Sequence, residues 1–445
     1  MGRNFVSKLI TVSLTVIITL AITAGVLAFK DKQRVPPGTM VANTDISGLR
    51  YPEAKAKLTE TLKLKSDQQL TLRRNDKTMT VKADELGIAP DIDATLDKVQ
   101  EGTGLFSPVS NRGEGTRVVS PVYGCSARGL KQIVVQAAAS FDRAPVNARV
   151  YLEGEKLQRG TEAAGFKTDI AGLSELIKRR LQEGNLQYIK VPGKSLGPIV
   201  TSKQLESVRD LLAVYVTSFT PDPAARTHNI VLSALRVNNT LLLPDTTFSL
   251  NKVVGERTAA NGFQPAPVFQ NGKTVTDLGG GLCQLASTIY NAAVAADLQI
   301  TERQPHSMAV DYVDPGQDAT VAWGQHDLKF VNTTGGPILV TARAQDGKLQ
   351  VRIYGRAKDP SREIKLVTEK KVITPDVKIV TNQYLAPGKQ VILQTGSPGY
   401  EVKTYRVESK DGKEVNRARV STDTYQPRPW IIEVAPGTKP RPGSK

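Results

Sequence analysis

Residues 277–296 read DLGGGLCQLASTIYNAAVAA and join two different kinds of local structure. The three glycines at positions 279–281 favour a tight turn, because glycine adopts backbone conformations that other residues avoid. The run that follows contains no glycine or proline, and it places Leu285, Ile289 and Ala292 on one face of a helix. The pattern predicts a glycine turn followed by a helix, with Cys283 at the start of that helix.

A cysteine at the start of a helix is typical of a reactive thiol. Unpaired amides and the helix dipole favour an anion there, and the thiolate is the nucleophilic form of cysteine. The first histidine downstream is His306, and aspartates follow it within 21 positions at Asp311, Asp314, Asp318 and Asp327. The order predicts a catalytic set of Cys283 as nucleophile, His306 as base and Asp318 as the residue that orients the base. Asp327 is the reserve for the third role.

A structural role is the alternative for these residues. Cys283 would then be a small buried hydrophobic side chain, the glycines would permit close packing, and His306 would be a hydrogen-bonded histidine of the core. Enzyme activity therefore stays open at this point. With two cysteines, three histidines and no CxxC or HExxH motif, the sequence predicts no metal site and no cofactor.

Length and composition predict an α+β multidomain protein. A chain of 445 residues suggests roughly three domains. Hydrophobic residues make up 40% of it, which excludes global disorder, while 36 glycines, 26 prolines and few aromatics favour short strands over a helical bundle. The net charge of +16 favours a polyanionic partner such as nucleic acid, anionic lipid or an anionic cell wall.

The N-terminus indicates the compartment. Leu9 to Phe29 is an uncharged run of 21 residues after two basic ones, long enough to cross a bilayer. We therefore predict an N-terminal transmembrane helix, with residues 1–32 as the anchor and its flanks, and a cleaved export signal as the alternative. The expected location is the cell membrane, single-pass, with the bulk of the chain extracytoplasmic. That location makes nucleic acid an improbable partner, so the expected partner is an anionic cell-wall polymer such as peptidoglycan.

Residues 43–200 alternate predicted helices and hairpins in the same order twice, which indicates duplicated α+β units. The pattern resembles a family of peptidoglycan-binding domains that often follows the anchor in exported Gram-positive-type proteins. The resemblance implies contact with peptidoglycan. The alternative is a spacer that carries later domains away from the membrane.

Residues 226–355 resemble the VanW family, named for an accessory protein of some vancomycin-resistance gene clusters. The resemblance rests on FSLN at 248–251, GER at 255–257, GGGLCQ at 279–284, YNA at 290–292, Arg303 with HS at 306–307, GQDATV at 316–321 and DLKF at 327–330. It implies an α+β domain with an envelope role and supplies no reaction. The leading hypothesis is thus a membrane-anchored, extracytoplasmic wall-binding protein, and the alternative is a cysteine amidase or transpeptidase acting on wall peptide or acyl bonds.

Residues 356–437 alternate polar and apolar positions between turn signals, which predicts an all-β domain. They resemble the five-glycine (G5) domain, and this resemblance implies binding of N-acetylglucosamine-containing glycans. Four aromatic side chains are candidates for stacking on sugars, with a place in the strand core as their alternative: Tyr400, Tyr405, Tyr425 and Trp430. Residues 438–445 are predicted to be a disordered tail.

Overall fold

The computed structural model describes residues 34–62, 69–101, 116–184, 188–270, 273–357 and 359–441. The chain divides into two compact units. The first consists of the residues up to Val146 together with Ala163–Pro198, and the second consists of Asn147–Glu162 and the residues from Ile199 onward. A hairpin that interrupts the first unit in sequence therefore belongs to the second.

Up to residue 198, the helices are α1 Tyr51–Thr61, α2 Ala83–Leu86, α3 Ile92–Glu101, α4 Ala127–Phe141 and α5 Ile170–Gln182. The strands of the same region are β1 Thr39–Val41, β2 Thr44–Asp45, β3 Gln69–Arg74, β4 Lys77–Lys82, β5 Ala89–Pro90, β6 Arg117–Val119, β7 Tyr123–Gly124, β8 Arg149–Glu153, β9 Lys156–Gly160, β10 Gly165–Thr168, β11 Tyr188–Lys190 and β12 Gly193–Leu196.

From residue 199, the helices are α6 Ser202–Leu205, α7 Ala224–Val237, α8 Leu250–Val254 and α9 Leu282–Ala295, with a 3-10 turn at Ala259–Asn261. The strands are β13 Asp210–Ser218, β14 Thr240–Leu242, β15 Thr247–Ser249, β16 Pro265–Gln270, β17 Lys273–Leu278, β18 Gln299–Glu302, β19 Lys329–Val331, β20 Ile338–Gln345, β21 Lys348–Gly355, β22 Arg362–Ile373, β23 Val377–Thr381, β24 Gln390–Gln394, β25 Gly399–Lys410, β26 Lys413–Tyr425 and β27 Trp430–Val434.

The first unit packs amphipathic helices against small sheets. Helix α4 is capped by Ser126, the residue before its first turn, whose hydroxyl accepts a hydrogen bond from the Gly129 amide and so satisfies a free helix-end donor. Its apolar side buries Ile133 and Ala137 in one core with strands β3, β4 and helix α5. A second core lies between α1, α3 and strand β1, where Leu58 is fully buried.

The second unit is centred on an antiparallel sheet in the order β13–β21–β20–β14. Helices α7 and α9 pack on this sheet, and the interface between them holds the largest core of the chain's described part. Leu285 and Ile289 of α9 are fully buried there, as the apolar spacing of residues 284–296 predicts. A smaller sheet, β15–β19–β18, adds the stacked rings of Phe248 and Phe330, whose centroids are 4.7 Å apart.

The C-terminal region folds into two three-stranded sheets, β22–β25–β26 and β23–β27–β24. The sheet β22–β25–β26 packs on the domain formed by helices α7 and α9 and their sheet, which we call the central domain. Ile364 of β22 belongs to the same core as helix α9. Asp297, just after α9, pairs with Arg362 and Arg406 at 2.6 and 2.5 Å. The interface between the central and C-terminal domains is therefore continuous with the main core.

The predicted fold class needs one correction. The chain is a mixed α+β protein, but among residues 34–441, as far as they are described, no helix is long and apolar enough to span a membrane. The fold class therefore stands without the N-terminal transmembrane helix. The run from Leu9 to Phe29, on which that helix was predicted, lies outside the described residues, as does the predicted tail beyond residue 441.

Candidate active site

The glycine turn places Cys283 at the start of α9. Gly279 and Gly281 have positive φ angles of 85° and 107°, a region that favours glycine. A Cβ on Gly280 would lie 2.7 Å from the carbonyl oxygen of Pro267, so the turn also needs glycine for close packing. The helix begins at Leu282, which makes Cys283 its second residue, within reach of the positive end of the helix dipole.

Buried polar side chains of α9 hold the loop that carries Asp318. The Ser287 hydroxyl accepts a hydrogen bond from the Ala319 amide at 2.9 Å, and the Asn291 side chain donates to the carbonyl oxygen of Gln317 at 2.7 Å. The residues on either side of Asp318 are thus fixed to the helix that carries Cys283. This attachment explains why polar residues occupy the middle of a buried helix.

The structure brings Cys283, His306 and Asp318 together. His306 Nδ1 is 2.5 Å from Asp318 Oδ2, and the His306 amide donates to the same oxygen at 2.7 Å. The Cys283 thiol and the His306 imidazole lie close enough for each to shift the pKa of the other. Cys283 is partly buried, and its Sγ lies 3.7 Å from the carbonyl oxygen of Val321. The three residues predicted to act together are therefore adjacent in the structure, and their catalytic roles stay a prediction.

The other oxygen of Asp318 is held from two sides. Arg303 Nη2 lies 3.0 Å from Oδ1, and the Tyr425 hydroxyl donates to the same oxygen at 2.5 Å. Arg303 also pairs through Nη1 with Asp423 at 2.6 Å. Tyr425 and Asp423 belong to strand β26, so the C-terminal domain completes the surroundings of a carboxylate with no exposed surface.

The pKa values of the three groups shift in directions that favour a thiolate and an imidazolium. Burial acts most strongly to raise the pKa of Cys283, but the hydrogen bond and charge of His306, aided by Arg257, lower it below its usual value. Burial also opposes the charged form of His306, yet contacts with Asp318 and Cys283 raise its pKa to about 9. For Asp318, contacts with His306 and Arg303 outweigh burial and lower the pKa. A thiolate next to a proton donor is the arrangement that acyl transfer requires.

Asp327, the reserve for the orienting role, has other partners. Its carboxylate accepts hydrogen bonds from the Ser249 hydroxyl at 2.5 Å and from the amides of Asn251 and Leu328 at 2.9 and 2.8 Å. These contacts cap the short helix α8. Asp318, and not Asp327, is thus the aspartate that contacts His306. Separately, no group of metal-ligating side chains occurs among the described residues.

The four aromatic residues predicted to bind glycans do not share one surface. Tyr425 is fully buried and its hydroxyl contacts Asp318, which leaves no face for a sugar. Tyr400 and Tyr405 are separated by an odd number of positions on β25 and so lie on opposite faces of the strand. Trp430 lies in the other sheet, where Gly396 packs against its ring. A stacking platform built from all four is therefore not found.

Three residues near the site were not assigned a role from the sequence. Arg303 and Arg257 belong to the motifs on which the VanW resemblance rests. The sequence gives no other signal for a role of either residue. Tyr312 packs its ring edge-on against His306, with ring centroids 6.5 Å apart. None of these contacts follows from local spacing.

Comparison with known families agrees with this domain order. Residues 79–190 match the family described as "Putative peptidoglycan binding domain", residues 225–354 match "VanW like protein" and residues 364–439 match "G5 domain". All three resemblances stated from the sequence are thereby confirmed.

Two curated relatives match part of the chain. "Uncharacterized protein YoaR" of Bacillus subtilis is 41% identical over 37% of this chain, and "Vancomycin B-type resistance protein VanW" of Enterococcus faecalis is 27% identical over 28% of it. The matched regions span 55% and 48% of those proteins, so the chain covers about half of each.

Among solved structures, the "IgA1 Protease G5 domain structure" is 32% identical and matches over its whole length and 19% of this chain, with a TM-score of 0.14. That TM-score supports no further conclusion. Taken together, the matches give the chain a region like the peptidoglycan-binding domain family first, a region like the VanW family in the middle and a region like the G5 domain last.

Proposed function

We propose that this chain is a cell-wall protein whose central domain performs cysteine-dependent acyl transfer on peptide or acyl bonds of the wall. The observation that carries the proposal is the contact chain from Cys283 through His306 to Asp318. The alternative is that Cys283 is a small buried side chain with a purely structural role. Its closeness to an imidazole whose pKa is raised favours the catalytic role.

The reaction uses the charge state that the site favours. The Cys283 thiolate attacks a carbonyl carbon and forms a tetrahedral intermediate, and the imidazolium of His306 then gives its proton to the departing amine. A thioester remains on Sγ. Water, or the amine of a second peptide, attacks that thioester while His306 accepts its proton. The first outcome is an amidase reaction and the second a transpeptidase reaction.

Wall binding is the second part of the proposal. It is supported by the family descriptions of the N-terminal and C-terminal domains and by the chain's net charge of +16, which suits an anionic polymer. Peptidoglycan lies outside the cytoplasm, so the proposal includes an extracytoplasmic location. Protease added to intact cells should degrade the chain, and protection together with recovery in the cytosolic fraction would contradict this part.

The test of catalysis uses the full chain with purified peptidoglycan. Chromatography with mass spectrometry of the released muropeptides should show shortened or newly cross-linked peptides with the native chain and not with Cys283→Ala. Intact mass measurement should also detect a covalent adduct on Cys283 that hydroxylamine removes, as expected for a thioester. Identical muropeptides with both proteins, and no adduct, would overturn the proposal.

The test of binding is sedimentation of the full chain with insoluble peptidoglycan at increasing salt. We expect Cys283→Ala to sediment as the native chain does, because binding and catalysis are assigned to different domains. Retention that disappears at moderate salt would indicate charge attraction alone and would contradict specific binding.

A further inference from the structure

Arg257 is a partly buried arginine beside the candidate nucleophile, and the two terminal nitrogens of its guanidinium have no hydrogen-bonding partner among the described residues. Its Nη1 and Nη2 atoms are buried and make no hydrogen bond within the part of the chain that the structure describes. Buried polar groups in proteins are nearly always paired, and a buried charge without a partner is costly. An unpaired guanidinium at this place is therefore a candidate binding group for an anionic ligand.

Contacts on two sides place Arg257 next to Cys283. A Cβ on Gly279 would lie 2.7 Å from Arg257 Cγ, so the arginine stem packs on the glycine turn that leads into α9. Its Cζ lies 5.8 Å from the ring centre of Trp323, two residues after the Val321 carbonyl that Cys283 contacts. The turn and the 321–323 segment both flank the thiol.

The negative groups near Arg257 do not satisfy it. Cys283 and Asp327 act electrostatically to raise its pKa, while burial acts more strongly to lower it. The Asp327 carboxylate accepts its hydrogen bonds from Ser249, Asn251 and Leu328, not from Arg257. Trp323 offers a ring face and no acceptor, and it is 47% exposed, so the guanidinium is near a part of the surface that a ligand can reach.

We propose that Arg257 binds a carboxylate of the acyl donor, so that the substrates are peptides with a free carboxylate close to the bond that Cys283 attacks. Arginine suits this role because its guanidinium forms two parallel hydrogen bonds with a carboxylate. The inference rests on the proposed function, since it uses Cys283 as the nucleophile. Arg257 is here a substrate-binding residue and takes no part in proton transfer.

Alkylation with two reagents of similar size tests the proposal without turnover. Iodoacetate carries a carboxylate and iodoacetamide a neutral amide. In both reactions the Cys283 thiolate forms an S–C bond, the C–I bond breaks and iodide leaves. The full chain carries Cys125→Ser, so that Cys283 is its one remaining thiol. The ratio of the two rates cancels the thiolate fraction, which both reactions share.

We expect the iodoacetate-to-iodoacetamide ratio to fall about 10-fold or more in Arg257→Gln, and less in Arg257→Lys, which keeps the charge but loses the planar pair of donors. Lys252→Gln is the matched control, because it removes an exposed positive charge of the same domain, and its ratio should equal that of the native chain. Circular dichroism verifies folding of each variant.

The outcomes separate the two proposals. Fast alkylation by both reagents with the same ratio in the native chain, Arg257→Gln and Arg257→Lys would overturn the carboxylate site and leave the nucleophile in place. Slow alkylation by both reagents, rising only at alkaline pH, would overturn the proposed function itself. An equal fall of the ratio in Lys252→Gln would mean that general charge, and not Arg257, attracts the reagent, and would also overturn the carboxylate site.

Discussion

Replacing His306 with alanine should convert Cys283 from a reactive thiolate to an ordinary buried thiol. In the native chain, His306 is the main group that opposes the effect of burial on the pKa of Cys283. Without the imidazole, burial dominates and the pKa of Cys283 rises. The rate of alkylation by iodoacetamide, followed across pH in the Cys125→Ser background, reports the thiolate fraction directly.

The size of the effect follows from the contact that is lost. A hydrogen bond to a charged group contributes about 1.5–3 kcal/mol, and each 1.4 kcal/mol is about tenfold in an equilibrium. The alkylation rate at pH 7 should therefore fall roughly 10- to 150-fold in His306→Ala. Electrostatic attraction beyond the hydrogen bond would increase the loss.

His326→Ala is the control, because His326 is an exposed histidine of the same domain. Its alkylation profile should match that of the native chain. If His306→Gln also folds and also loses the fast reaction, loss of the basic imidazole and not a local collapse is the cause. A native alkylation profile in a folded His306→Ala protein would refute the prediction, because the low pKa of Cys283 would then not depend on His306.

Three further predictions concern the same site. Tyr425→Phe should lower the free energy of unfolding, measured by urea denaturation, by about 1–3 kcal/mol, because the buried Asp318 carboxylate loses a hydrogen-bond donor. The control Tyr400→Phe should change it by less than about 0.5 kcal/mol. Equal effects of the two substitutions would contradict the prediction. Gly316→Ala should destabilise more than Gly335→Ala, since both glycines have positive φ but only Gly316 has a neighbouring strand against its Cα, and urea unfolding of both variants measures the difference. Because its pKa is raised, His306 stays protonated through neutral pH. The rate of acyl transfer should therefore fall as the pH rises, with a midpoint near pH 9 in a pH–rate profile. A midpoint near pH 6.5 would contradict the role of His306 as the proton donor.

The local part of the site is predictable from the sequence. Three glycines followed by a glycine-free apolar repeat specify a turn and a helix within a few residues, and the structure has α9 beginning at Leu282. Which aspartate faces His306 is a different kind of question. Asp318 and Asp327 both follow His306 at plausible distances, and their roles depend on how the loop 316–319 attaches to α9. Spacing alone carries no information on that attachment.

The role of Tyr425 could not be predicted for a related reason. An alternating strand shows that every second side chain faces one side, but not whether that side is solvent or another domain. Strand β26 has Asp423 and Tyr425 on the side that packs against the central domain, so both are buried. A Cβ on Gly316 would overlap Thr404 of the neighbouring strand, which shows how closely the two domains approach.

The charged residues of the site link the C-terminal domain to the central domain. Asp318 and Asp423 are nearly or fully buried, and Arg303 lies between them in contact with both. With protonated His306, these four residues form a buried set without net charge. Removing residues 356–445 would take away both Asp423 and the Tyr425 hydroxyl. Arg303 would then keep one carboxylate partner, Asp318. Loss of one partner from a buried ion pair typically destabilises a protein by about 3–5 kcal/mol. The carboxylate that contacts His306 is therefore held by residues more than 100 positions away in sequence. A central domain expressed alone should lose the fast thiol reaction.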